Sequence, residues 1–292
     1  MFPRLSRGAA VAALSLTLMV ACDKDEVLGP PDVAACTSGA LTVGETTTGA
    51  LDESSCLLWY DGIFDVTPAE SWSFRTAANT AYIVRLRPIA DADGTSELDA
   101  DLQLFGRSEN GDAHFATGSW RSFAFSDDDD VDLFGQELIF STLTAQTVSI
   151  RVQANDDESL GAYELELLSC AMVAVAPGTA SAPVALTDDC ELLSEAAPGV
   201  PGRVAFFSFV TGQGEEPELR VTRTGGEASM QVRVNGPGLD GSCWSNRCPS
   251  ASTITGAGPF DLEPEITVAG YYTVMVLQRT AGSLTASVRV FR

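Results

Sequence analysis

Asp127, Asp128, Asp129 and Asp130, followed by Asp132, form the densest cluster of titratable side chains in the chain. Adjacent carboxylates repel one another unless they are solvated or share a cation. Calcium takes about six to eight oxygen ligands, and an aspartate-rich loop supplies several. Asp91 and Asp93 before Gly94, or Asp99 and Asp101, would add others, but neither stretch completes an EF-hand loop. The plainer reading is a solvated loop with no cofactor. Calcium stands as the alternative.

The remaining chemistry-bearing residues are sparse. His114 is the single histidine and Lys24 the single lysine. The chain contains no G-x-S-x-G elbow, no H-E-x-x-H and no phosphate-cradling glycine loop with its lysine. Forty acids leave a hydrolase built from two carboxylates as a remote third reading. The sequence therefore reads as a non-enzyme. Cys243-Trp-Ser-Asn-Arg-Cys248 is the second local feature. A bridge closing this loop would hold Trp244 and Arg247 stiffly at the surface, as candidate contacts to a ligand or partner. The plainer reading is a pinned turn whose tryptophan covers a core edge. Trp120 is a further candidate for exposure, whereas Trp59, Trp72 and Phe207 read as core.

The elements that must position these residues are written twice. Cys36 to Cys56 reads CTSGALTVGETTTGALDESSC, and Cys170 to Cys190 reads CAMVAVAPGTASAPVALTDDC. Both stretches enclose nineteen residues, with a glycine eight places after the first cysteine (Gly44, Gly178) and a turn residue five further on (Gly49, Pro183). Trp72 and Phe74 follow the first stretch, Phe207 and Phe209 the second, so one domain is repeated at a period of about 134 residues. Equal spacing predicts that each loop closes on itself, Cys36 with Cys56 and Cys170 with Cys190, leaving Cys243 to pair with Cys248. The rival arrangement joins Cys56 to Cys170. Zinc is disfavoured, since there is no C-x2-C pair and only one histidine.

Period-two patterning runs through both copies. Tyr82, Val84 and Leu86 alternate with Ile83, Arg85 and Arg87; Leu102 and Leu104 with Asp101 and Gln103; Val148, Ile150 and Val152 with Thr147, Ser149 and Arg151. Tyr163, Leu165 and Leu167 oppose Glu164 and Glu166. Met230, Val232 and Val234 oppose Gln231 and Arg233, and Ala286, Val288 and Val290 oppose Ser287 and Arg289. Strands with one dry and one wet face read this way. Turn residues such as Gly225-Gly226 and Asn235-Gly236 punctuate them. The expected fold is all-β: two tandem jelly-roll-like antiparallel β-sandwiches, over 36–169 and 170–292, with almost no linker.

The front of the chain carries an address. Arg4 and Arg7 precede the uncharged run Gly8 to Ala21, which is too short to span a bilayer but fits a secretory signal. Leu18-Met19-Val20-Ala21-Cys22 resembles the lipobox of bacterial lipoproteins, with Met19 where that motif has leucine. The resemblance implies a signal peptide over 1–21, lipid attachment at Cys22 and a tether over 22–35 with a reach of roughly 40 Å. It places the protein at the cell envelope, on a membrane that Asp23 alone does not identify. The chain after the leader holds 40 acids against 15 bases. Such an excess repels nucleic-acid phosphates and anionic headgroups, but not cations, glycans or basic protein surfaces.

In the first copy, Asp99-Ala-Asp101-Leu-Gln-Leu-Phe-Gly106, the aspartate run, Gln136-Glu-Leu-Ile-Phe140, Thr147-Val-Ser-Ile-Arg-Val152 and Gly161-Ala-Tyr-Glu-Leu-Glu-Leu167 come in an order that resembles the bacterial pre-peptidase C-terminal domain. The resemblance covers residues 37–169 and implies a jelly-roll-like sandwich found beside secreted proteases and in other envelope proteins, some relatives of which bind calcium. The second copy keeps Phe207-Ser-Phe209, Met230-Gln-Val-Arg-Val234 and Gly270-Tyr-Tyr-Thr-Val-Met-Val276 but lacks the aspartate run. No protease domain accompanies either copy. Together these features predict a membrane-anchored binding or scaffolding module for a glycan or envelope protein. An accessory protein docking a separate secreted hydrolase is the alternative.

Overall fold

A computed structural model describes residues 36–59, 66–91, 96–107, 113–115, 118–126, 132–212, 215–235, 254–264, 266 and 269–291. The expected leader and tether, with Cys22, lie outside these residues. So do Asp127 to Asp130 and the Cys243, Trp244, Arg247, Cys248 loop. A short 3-10 turn spans Leu193–Glu195.

The first half supplies β1 (Thr37–Ala40), β2 (Thr46–Leu51), β3 (Cys56–Trp59), β4 (Val66–Arg75), β5 (Thr80–Pro88) and β6 (Ala100–Arg107). It continues with β7 (Ala113–Phe115), β8 (Gly118–Ser126), β9 (Asp132–Thr142), β10 (Thr147–Ala154) and β11 (Gly161–Ala174). The second half supplies β12 (Val184–Ala185), β13 (Val204–Thr211), β14 (Glu218–Gly226) and β15 (Met230–Asn235). After them come β16 (Ile254–Gly256), β17 (Phe260–Leu262), β18 (Gly270–Gln278) and β19 (Leu284–Phe291). The fold is all-β, as the alternation predicts.

The halves share one pairing scheme. In the first, one sheet runs β4-β10-β6-β7 and its opposing layer β2-β11-β5-β9. In the second, β13-β18-β15-β16 faces β12-β19-β14-β17. Equivalent residues even take equivalent partners. Gly39 of β1 sits opposite Trp72 in a parallel pairing, and Val173 sits opposite Phe207 in another. Ile150 pairs across from Trp72, and Val274 across from Phe207. Gly44 and Gly178 both adopt φ of +81°, a left-handed turn in which a Cβ is strained. Each donates its N–H to the far strand, to the Leu167 and Val290 carbonyls at 2.8 and 2.7 Å.

Each sandwich closes on its own core. Trp72, Phe74, Tyr82, Val84, Phe140, Ile150 and Leu165 fill the first; Phe207, Phe209, Val221, Val232, Tyr272, Val274 and Val288 fill the second. Phe74, Tyr82 and Phe140 meet ring to ring at 5.2–5.9 Å in the first. These contacts exclude water and provide the main driving force for folding.

The halves are joined through β11. Its residues Gly161 to Ala171 pair with β2 or β5, and its last three residues, Met172 to Ala174, pair with β13. One strand thus belongs to both sandwiches, and the sheet runs without a break along β16-β15-β18-β13-β11-β5-β9-β8. A third core fills the joint, with Ala81, Ile83, Ile139 and Met172 against Leu192, Val204, Phe206, Met275 and Leu277.

This joint corrects the expectation of a wet face on every strand. Ile83 is fully buried and Arg85 nearly so, because the second half covers the side of β5 that alternation assigned to solvent. Asp101 and Gln103 on β6 and Arg151 and Gln153 on β10 are also buried, and there polar side chains bond to one another in part. Arg151 donates to Gln103 and Gln153 at 3.3 Å, and Gln153 donates to the Thr67 hydroxyl at 3.0 Å.

Candidate functional site

Two features of the joint carry the chemistry that the described residues offer. The first is a buried ionic clamp. Arg85 on β5 and Glu137 on β9 are direct cross-strand partners. Arg85 Nε donates to Glu137 Oε1 at 2.9 Å, and its Nη1 to Glu166 Oε2 at 3.1 Å. The fully buried Glu137 carboxylate also accepts the backbone N–H groups of Leu193 and Ser194, both at 2.9 Å. Arg85 Nη2 reaches the Glu191 carbonyl at 2.5 Å. The clamp thus grips the 3-10 turn that follows Cys190. It satisfies orphan amide donors there with a charge, the strong form of hydrogen bond.

The second feature is a cleft of about 420 Å³ between the halves. The turns of the first half bring Asn79 and Leu143 to it. The second half contributes Val175, Pro177, Ser208, Phe209, Val210, Thr211, Glu215 and Tyr271. Asn79 sits in a left-handed conformation, φ +51°, in the β4–β5 turn. Its amide spans the joint, donating to the Met172 carbonyl and accepting from the Ser208 hydroxyl, both at 2.9 Å. Leu143 and Val210 stand 47% and 51% exposed at the rim. Thr211 is only 4% exposed, and its hydroxyl has no hydrogen-bond partner in the structure. Glu215 is the one charged side chain among the described lining residues, and one of its oxygens accepts the Gly212 N–H at 2.7 Å.

The described lining combines one carboxylate, Glu215, with the hydroxyls of Ser208, Thr211 and Tyr271 and with apolar walls.

The residues singled out from the sequence fall as follows. Cys36 and Cys56 form one bridge and Cys170 and Cys190 another, each with its Cα atoms 5.7 Å apart. Trp72 and Phe207 are core residues. His114 and Trp120 lie on β7 and β8, with side chains outside the described residues. Asp127 to Asp130 lie outside as well, between Ser126 and Asp132, which pair at the loop end of the β8–β9 hairpin. Asp101, a candidate additional calcium ligand, is instead buried and accepts the Gln136 amide at 2.8 Å. Among the described residues no group of three or more His, Cys, Asp or Glu side chains is placed to hold a metal.

Pattern reading passed over both the clamp and the cleft. For the clamp a signal existed: Glu137 stands in the otherwise uncharged run Leu133–Gly135 to Leu138–Phe140, at an outward position of a strand. For the cleft there was none, because its walls come from segments far apart in the chain. Compared with the known protein families and with the curated proteins, the chain matches none.

Proposed function

We propose that this chain is a lipid-anchored cell-envelope protein, held through Cys22, that serves as a non-catalytic binding or scaffolding module for a glycan or a protein. The lipobox-like leader motivates the anchor, and the ordered motifs resembling the pre-peptidase C-terminal domain motivate the module. The observation that carries the reading is the joint. A shared strand, an apolar core and a buried ionic clamp hold two sandwiches as one piece, with a cleft of about 420 Å³ between them. A preformed concave site on a rigid scaffold loses little ordering entropy on binding.

A crosslinking pull-down from native membranes tests it, comparing wild type with Trp244→Ala and with a Leu143→Asp, Val210→Asp double variant. The reading expects a polysaccharide or envelope protein captured by wild type and lost from one of these variants. Turnover of an ester, peptide or glycoside substrate by the purified protein overturns it. Replacing Cys22 by Ser should release the protein from membranes.

The second reading is an accessory protein that docks a separate secreted hydrolase. Arg220 on β14 and Asp261 on β17 are cross-strand partners at the register occupied by Arg85 and Glu137 in the first half. They are bonded at 2.6 Å, yet their side chains are 50% and 64% exposed. This second copy of the clamp grips no turn among the described residues, and a partner protein's turn would fit it.

A further inference from the structure

We propose that the outer face of the second sandwich binds a carboxylate side chain of a partner protein, at Arg220 and Arg289 beside Phe291. This rests on the reading in which the chain docks a separate protein, and it names what that protein must present.

The two copies of the clamp differ at one strand position. In the first half, Glu166 on β11 lies directly across from Arg85 and accepts its Nη1–H at 3.1 Å. In the second, Arg289 on β19 lies directly across from Arg220. A guanidinium thus stands where the first clamp has a carboxylate. Arg220 donates Nε–H and Nη2–H to the two oxygens of Asp261, at 2.6 and 3.0 Å. Its Nη1 has no acceptor among the described residues, whereas the Nη1 of Arg85 has Glu166. The Arg289 side chain has neither an ion pair nor a hydrogen bond among the described residues. Its guanidinium lies over the Phe291 ring, 4.7 Å from the centroid, and that of Arg220 is 5.6 Å from the same ring.

Like charges directly across a strand pair repel, and two arginines so placed complement a single anion. Asp261 offsets one of the two positive charges, so a monoanion matches what remains. Glu216, Glu218 and Glu263 are the exposed outward acids of the same face, and Glu218 lies directly across from Phe291. They repel a dianionic phosphate or a run of acids. The occupant that fits is one Asp or Glu side chain set among neutral or basic residues, its carboxylate taking the part that Glu166 plays in the first half. The Phe291 ring holds the Arg289 guanidinium in place, which reduces the ordering that binding must impose. Every group is within reach of a partner: Arg220 and Asp261 are 50% and 64% exposed, Arg289 is exposed and Phe291 half-buried. Arginine and aromatic side chains are also the types on which protein interfaces concentrate their affinity.

Titrating the full chain with the peptide acetyl-Lys-Gly-Glu-Gly-Lys-amide at about 0.02 M salt, followed by NMR of the arginine Nε–H signals, tests the site. The Arg220 and Arg289 signals should shift and saturate. The same peptide with glutamine in place of glutamate should bind about fivefold more weakly or less well still. Arg289→Glu restores the first-half arrangement, gives Arg220 an acceptor within the chain and should abolish saturation. Arg289→Gln should weaken binding about fivefold. Both variants alter an exposed side chain and should keep the wild-type denaturation midpoint, so a lost signal reports on the site rather than on folding. Equal binding of the glutamine peptide, tighter binding of a phosphoserine peptide, acetate matching the glutamate peptide in affinity, or no saturable shift overturns the proposal. So does unchanged binding in Arg289→Glu. A pull-down from membranes with wild type and Arg289→Glu separates this site from the docking reading. A hydrolase captured equally by both sustains docking and sinks the site. Capture by neither sinks docking alone, because the site answers to the titration.

Discussion

At the residue scale, Tyr163 is tightly held in the core of the first sandwich. Its hydroxyl accepts the Trp72 Nε1–H at 2.9 Å and donates to the Glu70 carboxylate, in the core and with no exposure of its own. Gly49 lies against it because a Cβ there would collide with the Tyr163 ring and Glu70 Oε2. In the second sandwich the matching positions are Phe207, Ala205 and Ala286, so that core is apolar where the first is polar. Tyr163→Phe should therefore destabilise the protein by about 1–3 kcal/mol in urea denaturation, since it strands an indole donor and a carboxylate. Gly49→Ala should cost about 1–3 kcal/mol by overpacking. Burial, reinforced by the hydrogen bond to Glu70, raises the Tyr163 pKa above its ordinary 10.0. The unfolded tyrosine thus ionises first. This contribution is complete below about pH 10 and declines as pH rises further. The melting temperature of wild type should fall more steeply above pH 10 than that of Tyr163→Phe.

At the element scale, β5 and its counterpart β14 show how one pattern serves two fates. Both carry an outward arginine paired across to an acid, Arg85 with Glu137 and Arg220 with Asp261. Around Arg85 the outward neighbours are Ala81, Ile83 and Ile139, and the second half covers them. Around Arg220 the outward residues are Glu216, Glu218 and Glu263, and that face is exposed. Removing one partner of a buried pair leaves an uncompensated charge, at a cost of about 3–5 kcal/mol. Glu137→Ala should lose that much stability, because it also strands the Leu193 and Ser194 amides. Asp261→Ala should leave the denaturation midpoint where it is. Equal effects from the two variants would show that the clamp does not hold the joint. The inward face of β5 was legible as alternation. The dryness of the outer face of β5 was not, since alternation records only that neighbouring residues point to opposite sides.

At the scale of the whole molecule, sharing β11 makes the sandwiches dependent on each other. A chain ending at residue 169 would lose Met172 to Ala174 from the sheet and expose Ile83 and Ile139 to water. We expect one calorimetric transition for the whole chain, with van't Hoff and calorimetric enthalpies equal. We also expect the isolated 36–169 segment to aggregate or melt well below it. Two separated transitions would refute this coupling. Each of the loops closed at Cys36–Cys56 and Cys170–Cys190 contributes about 3 kcal/mol in the chain-entropy view.

The sequence alone determined the all-β class, the period of the duplication and the inward residues of nearly every strand quoted. Those properties follow from local repetition: side chains alternate every residue, and a copied stretch carries its cysteines and glycines with it. Tertiary structure alone decided which outward faces are wet, that one strand serves both sandwiches, and that Asn79, Leu143, Thr211 and Glu215 line a single cleft. Such contacts join positions from tens to more than a hundred residues apart, and they depend on how two faces meet, which no local period records.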